Sequence, residues 1–435
     1  MLTGATNLEK LIIVANQIPV ELGALRNLKE LKELTIKKVN KMAVEAKTFE
    51  GTVNLEKLEL FGRIKSMKAG ALKHLSKLKV LEIGDLYPKV LNSKLFEGAD
   101  NLEKLKLTGK IEELEDKTFK NLKKLKELQI QNLNQTTLQC KIFEGMTKLE
   151  SLVLSGTLEV IESDCFDHLE QLTTLNLQNN QLQSLPSLEK LTTLKSLDLS
   201  ENLLTEVPKV PTSLNTLNLL NNNITHFPSG CFEGLSKLTR LTLGNKWNMA
   251  FQKDWATYVA DEDFLKGLTN LKSLTINGNL VNWIKDMLLY TPNLIDLNFN
   301  DNFQLQLETA TGIDHVPKLQ QLTFSVPFTI QRIKHESIAP KEVVEWPNAR
   351  NLRNLKFFSF YGYYSNSPER FDCGCSANTC MCECTEYDWL TNYRRPWPHS
   401  ACDLPGGPKG RAETVYIHAS PVISNLNTME NDCNG

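Results

Sequence analysis

At 435 residues, with 41% apolar and 23% charged residues, the chain has the balance of a soluble globular protein and excludes a disordered or collagen-like one. A formal net charge of -2 argues against a general polyanion binder, yet residues 1–150 hold 27 Lys and Arg against 20 Asp and Glu while the rest holds 22 against 31. A basic first third and an acidic remainder either steer a charged ligand or furnish a solvated outer surface.

From Leu8 onward one unit recurs, L-x-x-L-x-L-x-x-N-x-L, with its cleanest copy at Leu172-Thr-Thr-Leu175-Asn-Leu177-Gln-Asn-Asn180-Gln-Leu182. Copies start at Leu8, Leu31, Leu55, Leu78, Leu102, Leu125, Leu149, Leu172, Leu194, Leu214, Leu238, Leu271, Leu294, Leu319 and Leu355. Spacings alternate 23 and 24 residues from Leu8 to Leu172, inside the range of leucine-rich repeats. Each unit contacts only its neighbours, so a chain of this length need not divide into compact domains. The expected architecture is an α/β solenoid, a leucine-rich repeat horseshoe with a parallel concave β-sheet. The array spans 1–365 in about 15 repeats, with insertions near 246–265 and 326–350, and a disulfide-rich C-terminal cap fills 366–435.

In Leu175-Asn176-Leu177 the period is two, so the leucines fill the interior and the residues between them pave the concave face. The consensus Asn turns inward to satisfy backbone groups where the strand ends. It is present as Asn16, Asn180, Asn202, Asn222, Asn279 and Asn302 but replaced by Val39, Arg63, Leu86, Lys110, Leu133 and Thr157 in the earlier units. Those units must turn differently, with Gly109 and Gly156 permitting positive φ. On the far side Phe49, Phe96, Phe119, Phe143, Phe166 and Phe232 each precede the next core by six residues, which predicts a stacked phenylalanine spine closing the core.

Two long intervals interrupt the period. The first carries Trp247, Trp255 and Tyr258, either contact residues on the binding side or packing for the insertion itself. The second contains Val326-Pro-Phe and His335 to Pro340. A short interval, Leu194 to Leu214, contains Val207-Pro-Lys-Val-Pro211, suited to an extended return segment.

Several residues carry chemistry. Asn134-Gln-Thr136 and Asn223-Ile-Thr225 are glycosylation sequons placed just beyond strands. Cys140 and Cys165 fall in adjacent units, close enough for a disulfide, whereas Cys231 lacks a cysteine neighbour and reads as a buried free thiol. Seven of the ten cysteines lie in 373–433, a density that points to an oxidising compartment. With His399 nearby that cluster also suits a zinc site, but its C-x-C spacing is poor for tetrahedral ligation and no metal is assigned. The seven histidines show no catalytic or metal-binding spacing, so no enzyme, catalytic residue or cofactor is expected. No run reaches the roughly 18 apolar residues of a membrane span. The first eight residues do not read as a signal peptide, which fits the cysteines if the natural chain continues upstream.

The segment Cys382-Glu-Cys384-Thr-Glu-Tyr-Asp-Trp389-Leu390, followed by Cys402 and Cys433, resembles the cysteine cap that ends extracellular leucine-rich arrays. The resemblance implies Cys382–Cys402 and Cys384–Cys433 pairing. This sequence departs from the pattern, because Phe371-Asp-Cys373-Gly-Cys375 also looks like the opening of the cap. Repeats, spine, sequons and cap together resemble Toll and Toll-like receptor ectodomains over nearly the whole chain. That implies a non-enzymatic, extracellular module recognising a protein or microbial-pattern ligand and acting by homodimeric or heterodimeric pairing. The rival is a secreted matrix, adhesion or inhibitor protein that binds one partner without signalling. No specific nucleic-acid site is evident. The expected contacts are the concave residues Gln129, Gln131, Asn176, Gln178, Asp198, Ser200, Asn218, Asn298 and Asn300, with Tyr361, Tyr363 and Tyr364 as a second patch. The unit at Leu172, where atypical coils meet Asn-bearing ones, is the first place to look for ligand.

Overall fold

The computed structural model describes residues 5–14, 25–87, 90–244, 259–277, 287–299 and 315–323, and the backbone of 324–327, 357–363, 375–376, 379–380 and 414–419. Two compact units, 1–218 and 219–435, make up the chain. Both are leucine-rich repeat solenoids in which each coil adds one parallel strand.

In the first unit the ladder runs Lys10–Val14, Glu33–Val44, Lys57–Met67, Val80–Leu86, Lys104–Ile111, Glu127–Leu133, Ser151–Gly156, Thr174–Asn176, Ser196–Asp198 and Thr216–Asn218. Consensus leucines pair with their counterparts one coil on, as Leu128 with Leu152 and Leu152 with Leu175. From the Leu31 coil to the Leu319 coil they are buried, each contributing about 1.5–3 kcal/mol relative to exposure. The second unit repeats the scheme with Arg240–Gly244, Ser273–Asn277, Asp296–Phe299, Gln321–Pro327, Phe357–Tyr363 and Thr414–Ala419.

The alternation of 23- and 24-residue spacings has a mechanical cause. A β-bulge inserts one extra residue into a strand. The 24-residue coils beginning at Leu31, Leu78 and Leu125 carry it, each with a left-handed residue at the bulge: Lys38, Asp85 and Asn132, at φ of 58°, 54° and 60°. The pairing shifts register there, between Ile36 and Val39 and between Ile83 and Leu86. The following 23-residue coil places a glycine beneath the bulge. Gly62, Gly109 and Gly156 have φ of 124°, 146° and 156°, and a Cβ on any of them would collide with the backbone of Val39, Leu86 or Leu133. Two coils are therefore one packing unit, and the expected positive φ of Gly109 and Gly156 is met.

From Leu172 the turn chemistry changes. Strands shorten to three residues, and the inward Asn takes over. The Asn180 amide donates to the carbonyls of Leu154 and Leu177 at 2.9 and 2.8 Å, and its oxygen accepts from Leu158 N–H. Asn202 repeats this arrangement, and Asn222 donates to Leu219. All three are buried.

The phenylalanine spine is present and buried. Ring centroids of Phe96 and Phe119 lie 5.6 Å apart and those of Phe143 and Phe166 5.9 Å apart, within the range of favourable aromatic pairs. In the second unit Phe227 joins the spine, between Phe232 and Phe264. The return segments are turns, paired dipeptides such as Thr137–Leu138 with Val160–Ile161, and the 3-10 turns Ser93–Phe96, Cys140–Phe143 and Met287–Tyr290. The helical share of the solenoid is thus 3-10, with no α-helix among the described residues, and none of these helices is long and apolar enough to cross a membrane. Near the C-terminus, Cys375–Ser376 pairs antiparallel with Thr379–Cys380. Cys382, Cys384, Cys402 and Cys433 lie outside the described residues.

Candidate ligand-binding surface

Parallel pairing in register turns the residue between the two strand leucines into a column. In the first unit it reads Ile12, Thr35, Glu59, Glu82, Lys106, Gln129, Val153, Asn176, Asp198 and Asn218. From Glu59 onward every member is half-exposed. The chemistry changes along it, from carboxylates and Lys106 to amides. In the second unit the same position holds Thr242, Thr275, Asn298 and Thr323.

Seven of the expected contacts lie in unit 1, five of them in the Asn-bearing coils. Asn176 Oδ1 accepts the Gln178 backbone N–H at 2.9 Å. Asp198 Oδ1 accepts both the backbone N–H and the hydroxyl of Ser200, at 2.9 and 2.6 Å. Each side chain therefore closes its own turn with one atom. Asn176 Nδ2 and Asp198 Oδ2 make no hydrogen bond among the described residues. Ser200 differs from the expectation: it is buried and braces Asp198 from below. Gln129 is in the same column, while half-exposed Gln131 stands two residues further along its strand and half-exposed Gln178 lies just past the end of Thr174–Asn176. Asn298 lies in the second unit's column. Asn300, Trp247, Trp255, Tyr258 and Tyr364 lie outside the described residues. Tyr361 and Tyr363 fall on the strand Phe357–Tyr363.

Charge is organised on the upstream edge of the sheet in a way the sequence reading missed. Glu9, Lys32, Glu56, Lys79, Glu103, Lys126 and Glu150 occupy one position of successive coils, linked by backbone bonds of 2.8 Å, with alternating sign. Lys32 pairs with Glu9, Lys79 with Glu56 and Lys126 with Glu103, at 2.7, 2.7 and 2.8 Å. The hydrogen bonds and charges of these partners raise the lysine pKa values and lower those of Glu56 and Glu103. The alternation was visible in the sequence as the residue after each first leucine. Further into the sheet Lys10–Glu33 and Lys104–Glu127 repeat the pattern. Burial pushes Glu59 upward, but bonds from Lys57 and Thr35 outweigh it and hold the carboxyl below its ordinary range.

Cys140 and Cys165 form a disulfide. Glu162 lies close enough to complete a three-ligand cluster, but a disulfide offers no thiolate, and the carboxylate accepts the Cys140 N–H at 3.2 Å. Cys231 is free, half-buried rather than buried, and its thiol is pushed up to about 12 chiefly by burial. Exposed His226 pairs with Asp261 at 2.9 Å. The other Asp261 oxygen accepts the backbone N–H of Ser229, so the pair ties a turn and does not aim at a hydroxyl nucleophile. Asn134 and Asn223 are exposed.

A family model described as the BspA-type leucine-rich repeat region matches six copies, over residues 3–125, 89–209 and 211–311. The chain belongs to the BspA-type leucine-rich repeat family. Within this family context it is similar to keratocan of Danio rerio, 32% identical over 136 residues, which is 31% of this chain and 37% of that protein. Keratocan of Gallus gallus is 33% identical over 134 residues, 30% of this chain and 35% of that protein. The chain spans little more than a third of the length of the curated relatives it matches. Among solved structures it resembles TLR13 in complex with ssRNA13, with a TM-score of 0.68 and 22% identity, covering 95% of this chain and 57% of that one. It also resembles Drosophila Toll in complex with Spatzle, with a TM-score of 0.65 and 21% identity, covering 83% and 49%. At these identities the likeness concerns the fold.

Proposed function

We propose that the chain is a non-catalytic extracellular recognition module of the Toll-like receptor kind, with ligand seated on the concave face of the first unit around Asn176, Asp198 and Asn218. The observation that carries this reading is the run of three half-exposed amide and carboxylate side chains on adjacent short strands. Asn176 keeps a donor and Asp198 an acceptor beyond those that close their turns. Gln129, Gln131 and Gln178 extend the patch, and Ser200 holds Asp198 in place. The solved complexes similar to this fold hold a protein or an RNA, which supports a protein or microbial-pattern ligand and ligand-induced pairing of chains. Exposed sequons at Asn134 and Asn223 support glycosylation in a secretory compartment.

The test is binding of the secreted full chain to Spatzle and to single-stranded RNA by biolayer interferometry. The triple variant N176A/D198A/N218A loses at least ten-fold in affinity for whichever probe binds. An unchanged affinity removes the concave centre. The similarity to keratocan favours a second reading, a secreted matrix or adhesion protein that binds one partner without signalling. Fusing the chain to a dimerisation-dependent signalling reporter separates the two: ligand that binds without driving the reporter supports the second.

A further inference from the structure

Part of the basic excess of the first third gathers at one place. We propose that the downstream edge of the sheet in the Leu31 and Leu55 coils is a second binding site, for a linear sulfated polysaccharide, held by Lys37, Lys38, Lys41, Arg63 and Lys65. All five side chains are exposed, and none forms an ion pair among the described residues. The upstream edge of the same coils behaves oppositely, with its cations matched to carboxylates. Register pairing of Val39 with Gly62 and of Met42 with Ile64 sets Lys41 next to Arg63, on strands about 4.8 Å apart. Like charges so placed repel. Arg63 feels the charge of Asp85, one coil on, and Lys37 acts on Glu59, which is already paired with Lys57.

The backbone adds an independent observation. Lys38 sits at the bulge, where the equivalent coils use Asp85 and Asn132, residue types that enter the left-handed region more readily. Lys41 is also left-handed, at φ 59°, with no counterpart among the described residues of the other bulged coils. Two cations thus stand where local preference favours a short polar residue. Strain retained at a site is a pointer to function.

The ligand class follows from what the patch lacks. Single-stranded nucleic acid is gripped by stacking bases on free aromatic faces. Here the Arg63 guanidinium lies 5.2 Å from the Tyr87 ring centroid and donates to its hydroxyl. Phe61 packs against the backbone at Gly84. With Tyr87 held by Arg63 and Phe61 set against Gly84, cations predominate among the exposed charged groups of the site, the chemistry a sulfated glycan needs.

The experiment uses the full chain and a heparin decasaccharide, by calorimetry at 50 and 200 mM salt. Five ionic contacts predict an affinity about a hundred-fold weaker at the higher salt. The variant K38N/K41N removes two charges while relaxing the backbone; it melts at a higher temperature than the parent and binds several-fold more weakly. K38E/K41E/K65E loses at least ten-fold, whereas K32E/K79E/K126E, with the same change in net charge, stays within two-fold. Three results overturn the proposal: no binding by the parent chain, equal loss in both triple variants, or a 20-nucleotide oligo-dT binding as tightly as the decasaccharide.

Discussion

Gly156 lies directly beneath the bulge at Leu133, so close that a Cβ on it would overlap the Leu133 carbonyl oxygen and amide nitrogen. Gly109 stands in the same relation to Leu86 and Gly62 to Val39. Gly156→Ala therefore faces both a steric collision with backbone and a φ that L-residues rarely adopt. The expected loss is upward of about 3 kcal/mol, in the range reserved for strain at a special backbone position. Thermal melts of the three Gly→Ala variants, with Gly145→Ala as a comparison, check it. Gly145 is also left-handed but meets only Lys120, at 4.0 Å, so its variant loses less.

That two-coil unit marks the limit of what the sequence made legible. Leucines at period two and phenylalanines six residues before each core are direct consequences of which side chains must be buried, so strand faces and spine followed at once. The bulge did not follow, because Lys38 has no turn preference to announce it and Asp85 is one polar residue among many. Only the 24-residue spacing recorded the extra residue. The concave candidates were legible as positions but not as environments: Ser200 and Asp198 look alike in sequence, and only burial and a 2.6 Å bond separate brace from surface. The alternating Glu–Lys edge was readable from coil register, yet it emerges only when coils are aligned by their first leucine.

Asn202 donates to Leu177 in the preceding coil and to Leu199 in its own, and accepts from Leu182 N–H, all while buried. Asn202→Ala leaves these backbone groups unpaired, and each costs about 1–3 kcal/mol. A destabilisation of about 2–4 kcal/mol is expected, with faster hydrogen exchange at the Leu182 amide as the local signature. Asn202→Asp keeps the acceptor but loses the donors, and falls between the two.

The Cys140–Cys165 disulfide closes a loop of 25 residues between neighbouring coils. Chain entropy alone assigns such a loop about 3.5 kcal/mol. Cys140→Ser with Cys165→Ser lowers the melting temperature by that measure under non-reducing conditions, and a reducing agent lowers the parent by at least as much. Intact mass before and after thiol labelling identifies the bond; an unchanged melting temperature under full reduction contradicts its structural weight.

Asp296 carries the last prediction. It is half-buried on the concave strand Asp296–Phe299 and accepts the Ser273 hydroxyl at 2.9 Å, but burial dominates and raises its pKa above the ordinary carboxylate value. The sign follows from linkage: the native state binds this proton more tightly than the unfolded chain does. The group's favourable contribution is therefore complete below the unfolded pKa, near ~3.9, and is lost as pH rises through the higher folded value. At neutral pH the ionised carboxylate opposes folding. Asp296→Asn removes the titration while leaving an oxygen for Ser273, so it raises the melting temperature at pH 7 and changes it little at pH 3. Melts of parent and variant across pH 3–7 show the two curves diverging upward with pH; parallel curves refute the assignment.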